Sequence, residues 1–252
     1  MILFFRTLLF YLGLVAIVLT LLPGMVIALF IPQLPRNRYF TGWGRSIIWW
    51  QKIVCGLTYE VTGRENIPAG NGVILCKHQS TWETFTLQLV FPAQTWVLKR
   101  ALMYIPIFGW GLALAGSIAI DRGTRTQALK QVIEQGTDRL KKGLWVVIFP
   151  EGTRARPRQP GKYNPGGAML AVRSGYPAVP VAHNAGSYWP RSGWPIRPGV
   201  IQMVVGEAID PAGKKPGEIN EMVSTWIEAR MKEIEGPASA NEGHGIGQND
   251  PS

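Results

Sequence analysis

Cysteine is scarce in this sequence: the 252 residues contain only Cys55 and Cys76. The two lie 21 positions apart and form no Cys-x-x-Cys pair, so we expect free thiols in a reducing compartment and no zinc site. The sequence also lacks an internal repeat, a Walker phosphate-binding loop and the spacing of metal ligands. These absences argue against a solenoid protein and a P-loop nucleotidase, and they predict that no metal is bound.

Acidic residues are outnumbered, because 16 Asp and Glu face 26 Lys and Arg, which gives a net charge of +10 at pH 7 and a pI near 9.9. Such a balance predicts a negatively charged partner, either nucleic acid or an anionic membrane. The aromatic content of 10% and the mean hydropathy of +0.07 favour the membrane. No nucleic-acid-binding motif accompanies the charge, so we predict anionic membrane lipids and no nucleic acid as partners.

Charge is absent from residues 8–31, a run of 24 residues. As a helix this run would be about 36 Å long, against ~30 Å for the hydrocarbon core of a bilayer. No small-residue cleavage site follows it, which disfavours a signal peptide. Pro23 and Gly24 interrupt the run, which predicts either a kinked span or a helix that enters one leaflet and turns. Arginines are more numerous after the run (36, 38 and 45) than before it (6), so a run that spans the bilayer would place the chain from residue 36 onward in the cytoplasm.

A stripe of large apolar residues follows, with steps of three and four that are typical of one helix face. Its members are Phe40, Trp43, Ile47, Trp50, Val54 and Leu57. Tryptophan favours the headgroup region of a membrane, whereas the same stripe would equally pack on the protein's own core, and the sequence leaves both interpretations open.

The remaining chain alternates short apolar runs with amphipathic helical patterns, the alternation of a parallel sheet covered by helices. We therefore predict an α/β fold with a mostly parallel central sheet flanked by helices and an N-terminal two-helix membrane-embedded element. The predicted division is an anchor at 1–57, an α/β domain at 58–235 and a disordered tail, rich in Gly, Asn and Ser, at 236–252. Pro180 predicts that the strand-like run 178–184 is an edge strand or contains a bulge.

The predicted functional centre is the stretch from Val73 to Phe85. A buried strand at 73–76 delivers His78 to a loop, and Ser80 is typical of the N-cap of the helix that follows. Glu83, in the first turn, can bend back to one ring nitrogen of His78 and leave the other nitrogen as a general base. The same Ser-x-x-Glu spacing also fits a capping box, in which Glu83 has only a local structural task.

Cationic residues collect at the predicted carboxyl ends of the strands, where open α/β sheets bind their ligands. They are Lys77, Lys99, Arg122 and Arg154. Between residues 151 and 200 seven Lys or Arg face a single acid, Glu151, and Gly152 permits a tight turn close to a ligand. An acid-base group surrounded by cations predicts a phosphorylated acceptor. His183 is a second catalytic candidate, without a nearby carboxylate in sequence.

Four stretches resemble the sequence blocks of the glycerolipid acyltransferases. His78-Gln-Ser-Thr-Trp-Glu83 is similar to their His-x4-Asp block and Gly116–Arg122 to their second block. Phe149-Pro-Glu-Gly-Thr-Arg154 matches the third block and Val179-Pro-Val-Ala182 the fourth. The resemblance covers roughly residues 60–210 and is greatest to the bacterial members that acylate lysophosphatidic acid.

The resemblance implies a function and a role for each matching position. His78 would be the general base, oriented by Glu83, for direct transfer of an acyl chain from acyl-CoA or acyl-carrier protein, as co-substrate, to the sn-2 hydroxyl of lysophosphatidic acid. The product would be phosphatidic acid, made without a cofactor at the cytoplasmic face of a bacterial inner membrane. Lys99, Arg122 and Arg154 would bind the acceptor's phosphate, Glu151, Gly152 and Thr153 would hold the acceptor, and Val179 and Pro180 would shape the acyl-donor side.

The sequence departs from the family at Glu83, which stands where the block usually has Asp. One additional methylene changes the reach of the carboxylate but not its chemistry. Two alternatives stay open: an acyltransferase for another acceptor, such as a lyso-ornithine lipid or another lysophospholipid, and a non-catalytic lipid-binding membrane protein.

Overall fold

The computed structural model describes residues 1–121, 123 and 125–235. Two long helices come first, followed by a domain of strands alternating with helices. The helices are α1 (Ile2–Ala28), α2 (Gln33–Cys55), α3 (Trp82–Val90), α4 (Phe108–Leu114), α5 (Arg125–Lys141), α6 (Gly166–Ser174) and α7 (Pro216–Glu235). The strands are β1 (Leu57–Thr62), β2 (Val73–Cys76), β3 (Gln94–Lys99), β4 (Ile118–Ile120), β5 (Trp145–Ile148), β6 (Ala178–His183) and β7 (Gly199–Val205).

The strands form one seven-stranded sheet in the order β1-β7-β6-β2-β5-β3-β4. The five strands from β6 to β4 are mutually parallel, while β7 pairs with β6 in the antiparallel sense and with β1 in parallel. The predicted α/β class with a mostly parallel, helix-flanked sheet is confirmed.

The central strands β2 and β5 are apolar on both faces because helices cover both sides of the sheet. All four residues of each strand are buried. Ile74 and Cys76 pack in the core layer that also contains residues of α2 and α3. Val73 and Leu75 pack in the opposite layer, with residues of α5, α6 and α7. The loops after these strands therefore start from a rigid, doubly packed base.

The prediction that Pro180 marks an edge strand or a bulge is wrong. β6 lies between β2 and β7, and all six of its residues are buried. Its antiparallel pairing with β7 starts at Val181, and the Pro180 carbonyl accepts a bond from the Gly206 N–H just beyond the end of β7. The missing N–H of Pro180 therefore falls at the end of the ladder, where it interrupts no strand pairing.

The N-terminal helices form a hairpin that packs on the domain. α1 runs without interruption through Pro23 and is, among the described residues, the one helix long and apolar enough to cross a membrane. The predicted stripe on α2 faces inward, because Phe40, Ile47 and Val54 join the core layer of the domain. The opposite face of α2 leaves Trp49 60% exposed. The structure thus favours packing on the protein's own core for the stripe itself.

One detail of the predicted boundaries changes. Leu57, the last residue of the predicted stripe, already belongs to β1. The predicted disordered tail at 236–252 lies outside the described residues. The two cysteines are confirmed as free thiols, and both are buried.

Candidate active site

Four neighbouring parallel strands end at one edge of the sheet, at the wall of a cavity of about 890 Å³. His78 follows β2, Lys99 ends β3, Ile120 ends β4, and the 149–154 segment follows β5, and all of them line the cavity. The opposite wall is apolar and comes from the N-terminal hairpin and the segment around α4. It includes Val18, Phe40, Trp43, Ile107, Phe108 and Leu112.

His78 and Glu83 form the predicted dyad. The Nδ1 of His78 lies 2.8 Å from Glu83 Oε1, and the carboxylate is fully buried. The pKa of Glu83 is lowered: burial alone would raise it, but the imidazoles of His183 and His78 and the Ser80 N–H lower it by more. Since Glu83 is a carboxylate, Nδ1 carries the proton and Nε2, which has no partner among the described residues, is left to accept one.

Glu83 also fulfils the capping interpretation. Its Oε1 accepts bonds from the backbone N–H groups of Gln79 at 3.0 Å and Ser80 at 2.9 Å. The two interpretations of the sequence are therefore compatible, because one carboxylate serves both the loop and the imidazole. The predicted cap itself is displaced by one residue: α3 begins at Trp82 after Thr81, although the Ser80 hydroxyl still accepts a bond from the Trp82 N–H.

The segment after β5 fixes the backbone and ring of His78. Glu151 Oε2 accepts the His78 N–H at 2.7 Å, and the Ala155 N–H donates to the His78 carbonyl at 2.7 Å. The His78 ring stacks on Phe149, with centroids 4.1 Å apart. The imidazole is thus held on one face and at one nitrogen, while its side chain keeps 17% exposure.

Lys77 does not join the ring of cations that the sequence predicted. It is 1% exposed, and its Nζ lies 2.8 Å from both Glu151 Oε1 and Glu228 Oε1. Burial alone would lower the pKa of Lys77, but its two carboxylate partners raise it, so the ammonium stays charged. A buried charge must be paired, and this pairing explains why Lys77 lies beneath the cavity and not in it.

Glu151 lines the cavity but has its carboxylate turned to the protein. Burial raises the pKa of Glu151, against the effect of Lys77, which lowers it. Both oxygens are engaged, one by Lys77 and one by the His78 N–H. Gly152 has φ 70°, a conformation in which glycine is unstrained, and it makes the tight turn that carries the chain to Thr153.

Of the three predicted phosphate-binding cations, two lie at the cavity and the third lies outside the described residues. Lys99 and Arg154 line the cavity, as do Gly152 and Thr153. One guanidinium nitrogen of Arg154 lies 3.4 Å from the Arg191 carbonyl. Arg122 falls outside the described residues, although Ile120, two positions earlier, lines the same wall.

His183 is a structural histidine in this fold. It is fully buried, its Nε2 lies 2.8 Å from the Lys77 carbonyl, and its Nδ1 accepts the Ala185 N–H at 3.3 Å. Burial lowers the pKa of His183, although Glu83, 3.8 Å away, opposes the shift. A neutral imidazole that donates from Nε2 and accepts at Nδ1 satisfies both contacts, so no nitrogen is left for a substrate.

The predicted acyl-donor residues are not brought to the cavity. Val179 and Pro180 are buried in β6 and are absent from the cavity lining. In the sheet they pair in register with Ile74 and Leu75 of β2, which are also absent from the cavity lining.

Sequence reasoning did not anticipate several supporting residues. Phe149 was part of a recognised block, but nothing in a sequence indicates which ring an imidazole stacks on. Glu228 and Glu235, in α7, lie about 150 residues from their partners Lys77 and Gln79. Their spacing of seven is also the ordinary spacing of charges on a solvated helix face, so it gave no specific signal. Among the described residues, no cluster of three or more His, Cys, Asp or Glu could hold a metal.

The chain is similar to known acyltransferases over most of its length. The family model described as Acyltransferase matches residues 58–184. The 1-acyl-sn-glycerol-3-phosphate acyltransferase of Pseudomonas aeruginosa is 49% identical over 236 residues, which cover 91% of each chain. The Escherichia coli protein of the same name is 31% identical over 162 residues, or 63% of this chain and 64% of that one.

The fold also has a solved counterpart. The crystal structure of the 1-acyl-sn-glycerophosphate (LPA) acyltransferase PlsC from Thermotoga maritima superposes with a TM-score of 0.77 at 22% identity, covering 94% of this chain and 97% of that one. A family match over half of the sequence, together with a relative that is nearly half identical over nine tenths of it, establishes that this chain belongs to the acyltransferase family.

Proposed function

We propose that this acyltransferase transfers an acyl chain from an acyl thioester, acyl-CoA or acyl-carrier protein, to the sn-2 hydroxyl of lysophosphatidic acid and so forms phosphatidic acid. The observation that carries the proposal is the His78–Glu83 pair, 2.8 Å apart, at the rim between a cationic wall and an apolar wall of one cavity. The names of the Pseudomonas aeruginosa and Escherichia coli relatives support this acceptor.

The chemistry needs no acyl-enzyme. Nε2 of His78 takes the proton of the acceptor hydroxyl as its oxygen bonds to the thioester carbonyl carbon, and Glu83 stabilises the imidazolium that forms. The tetrahedral intermediate then expels the thiolate, and the imidazolium returns the proton to the sulfur. One C–O bond forms, one C–S bond breaks, and the histidine ends as it began.

The two walls suit the two parts of a lysophospholipid. Lys99 and Arg154 line the cavity beside His78 and can pair with a phosphate, with Arg122 as a third cation by resemblance. Gly152 and Thr153 form the turn beside them. Glu151 acts on this site through His78, because one of its oxygens accepts the His78 N–H and the other is ion-paired with Lys77. The apolar wall offers the acyl chains a dry surface, and ~300–1,000 Å³ is the usual volume of a ligand cavity.

Membrane association follows from two exposed apolar surfaces. The first is on α1, where at least seven large apolar side chains are more than half exposed; these include Ile2, Phe4, Phe5, Leu12, Val15, Val26 and Ile27. The second, which we name the mouth patch, consists of Leu102, Tyr104, Ile105, Phe108 and Trp110. Leu102 and Phe108 also line the cavity, so the mouth patch is continuous with the apolar wall. We infer that both surfaces contact a bacterial inner membrane from its cytoplasmic side.

The test is acyl transfer in mixed micelles from labelled acyl-CoA and acyl-carrier protein to lysophosphatidic acid, with lyso-ornithine lipid as the competing acceptor. The His78→Ala variant should be inactive. Glu83→Gln should lose roughly a hundredfold or more in kcat, because the neutral amide no longer stabilises the imidazolium. Glu134→Gln, on the surface of α5, is the matched control and should retain full activity.

Each outcome separates the alternatives. A wild-type protein that binds lysophosphatidic acid but transfers to no acceptor would support the lipid-binding interpretation and refute the enzyme. Transfer to another lysolipid alone would refute the acceptor. Full activity in Glu83→Gln would reduce Glu83 to a capping residue and refute the dyad.

A further inference from the structure

The two residues that flank His78 are both tied to the last helix. Lys77 Nζ donates to Glu228 Oε1 at 2.8 Å, and Gln79 Nε2 donates to Glu235 Oε1 at 2.8 Å. Lys77 and Gln79 are themselves buried, with 1% and 0% exposure. The general base therefore has a fixed neighbour on each side, and both are fixed by α7.

The spacing of the two glutamates makes this possible. Seven residues advance a helix by about two turns and ~10.5 Å, so Glu228 and Glu235 project from the same face. Ile219, Val223, Ile227 and Met231 bury α7 against the domain and set its rotation. Glu221, seven positions before Glu228, is exposed and has no side-chain bond among the described contacts. Glu228 and Glu235 thus differ from Glu221 in having bonded partners, although the spacing of seven residues is the same.

The same carboxylates also hold the loop after Arg154. Glu228 Oε1 accepts the Tyr163 hydroxyl at 2.7 Å, and Glu235 Oε2 accepts the Arg158 N–H at 2.6 Å. Each glutamate therefore joins a neighbour of His78 to the segment that runs on from the Glu151–Arg154 turn. The base and the predicted phosphate-binding turn are fixed to one another from beneath the cavity.

The charges of Lys77 and Glu228 are consistent with a stable ion pair between them. Lys77 lies between Glu151 and Glu228, at 2.8 Å from each, and the three form one buried or half-buried cluster. Burial alone would raise the pKa of Glu228, but the bonds from Lys77 and Tyr163 lower it. Removal of Glu228 leaves Tyr163 without its acceptor and Lys77 with a single carboxylate, which costs more than the loss of a surface pair.

We propose that Glu228 and Glu235 of α7 are positioning residues, which hold Lys77 and Gln79 and thereby set the position of His78 against the Glu151–Arg154 turn. α7 lies beyond the matched family region at 58–184, so this role is additional to the family's own blocks. The inference rests on the proposed function for its kinetic test, and a structural test accompanies it that does not.

The kinetic experiment compares Glu228→Ala, Glu235→Ala and the control Glu221→Ala in the micelle assay. Displacement of a general base lowers kcat without changing ground-state binding, so the first two variants should lose roughly 10- to 100-fold in kcat with KM within about twofold. Glu235→Gln keeps one acceptor oxygen for Gln79 and should retain more of the activity than Glu235→Ala. The control should match the wild type.

The structural experiment measures backbone amide exchange by NMR at His78, whose N–H is bonded to Glu151. Exchange at His78 should be about tenfold faster in Glu228→Ala and Glu235→Ala and unchanged in Glu221→Ala, because a local tie has been lost. Melting temperatures identify any variant that unfolds globally, and the corresponding variant Glu228→Gln or Glu235→Gln replaces it in both measurements.

The outcomes are distinguishable. Inactivity of the wild type towards lysophosphatidic acid refutes the proposed function, while the exchange result still decides the positioning role. An active wild type with unchanged kcat and unchanged His78 exchange in both Ala variants refutes the inference and leaves the proposed function intact. An equal rise of KM and fall of stability with unchanged kcat would make the two glutamates merely structural.

Discussion

Among single residues, Glu83 and His183 show how burial assigns different tasks to groups 3.8 Å apart. Glu83 collects the His78 imidazole and two backbone N–H groups, so it can remain ionised without water. His183 satisfies both nitrogens with backbone groups and remains neutral. Glu83 is thus suited to carry a negative charge beside His78, whereas His183 has only a structural role.

Protonation of His183 should make the fold sensitive to acid. Burial lowers the pKa of His183 in the folded state, whereas an unfolded histidine titrates near its ordinary value of about 6.5. Between the lowered value and about 6.5 the unfolded chain binds more protons, so the free energy of unfolding decreases as the pH falls below about 6.5. Urea titrations from pH 7.5 to 5 should reveal this slope.

The variant His183→Gln serves as the control for that slope. Gln keeps an N–H for the Lys77 carbonyl but does not titrate, so its unfolding free energy should be lower at pH 7.5 and vary less between pH 6.5 and 5. Glu83, whose pKa is lowered, loses its stabilising contribution only as the pH falls below its ordinary value of about 4.3, outside this range. An unchanged slope in the variant would assign the acid sensitivity to another group.

At the scale of secondary-structure elements, the N-terminal hairpin depends on two glycines. A side chain at Gly13 would collide with Trp50, and one at Gly24 would collide with Tyr39. Because 13 pairs with 50 and 24 with 39, α1 and α2 run antiparallel in close contact along most of their length. Trp50 also donates from its indole nitrogen to the Phe10 carbonyl at 3.2 Å.

Replacing Gly13 should therefore separate the two helices. Gly13→Leu forces Trp50 away, and overpacking of this kind costs about 1–3 kcal/mol, so the melting temperature in detergent should fall by several degrees. Gly42→Leu, on α2, is the matched control, because a Cβ added at that position would meet no atom within 4 Å. Both changes remove a helical glycine, so a lower melting temperature only at position 13 identifies packing as the cause. Equal behaviour of the two variants would contradict it.

Elements that depend on local patterns were predictable from the sequence, and those that depend on distant partners were not. The His78–Glu83 pair spans five residues and was anticipated, as were the strands that end at Cys76 and Lys99. The position of Pro180 depends on where β7 ends, 25 residues later, and no local pattern reports that. Lys77 was misplaced for the same reason, since its partner Glu228 lies 151 residues away.

At the scale of the whole molecule, charge and apolar surface are both suited to a membrane. The mouth patch is strongly exposed, with Tyr104 at 77% and Trp110 at 59%, and it adjoins the exposed cation Lys99. Apolar surface of this kind is costly in water and favourable at the headgroup boundary, while the net charge of +10 attracts anionic lipids.

A charge placed in the mouth patch should weaken membrane binding. Trp110→Glu removes an aromatic anchor and adds a negative charge that anionic lipids repel. The partition of the protein onto vesicles with about 30 mol% anionic lipid should therefore fall several-fold. Met222→Glu, another exposed apolar residue, lies on α7 outside the patch and should bind as the wild type does. Flotation assays at low and high salt measure both. Equal binding by Trp110→Glu would exclude the mouth patch from the contact.

The burial of both cysteines makes this chain a ready-made background for chemical labelling. Cys55 and Cys76 are the only thiols in the sequence, and both are buried; burial also raises the pKa of Cys76, so its reactive thiolate is scarce. A single cysteine introduced on an exposed loop is therefore the thiol that a maleimide meets first, without prior removal of the native pair. Membrane-impermeant maleimides applied to sealed vesicles from either side would then report which face of the bilayer carries the active site.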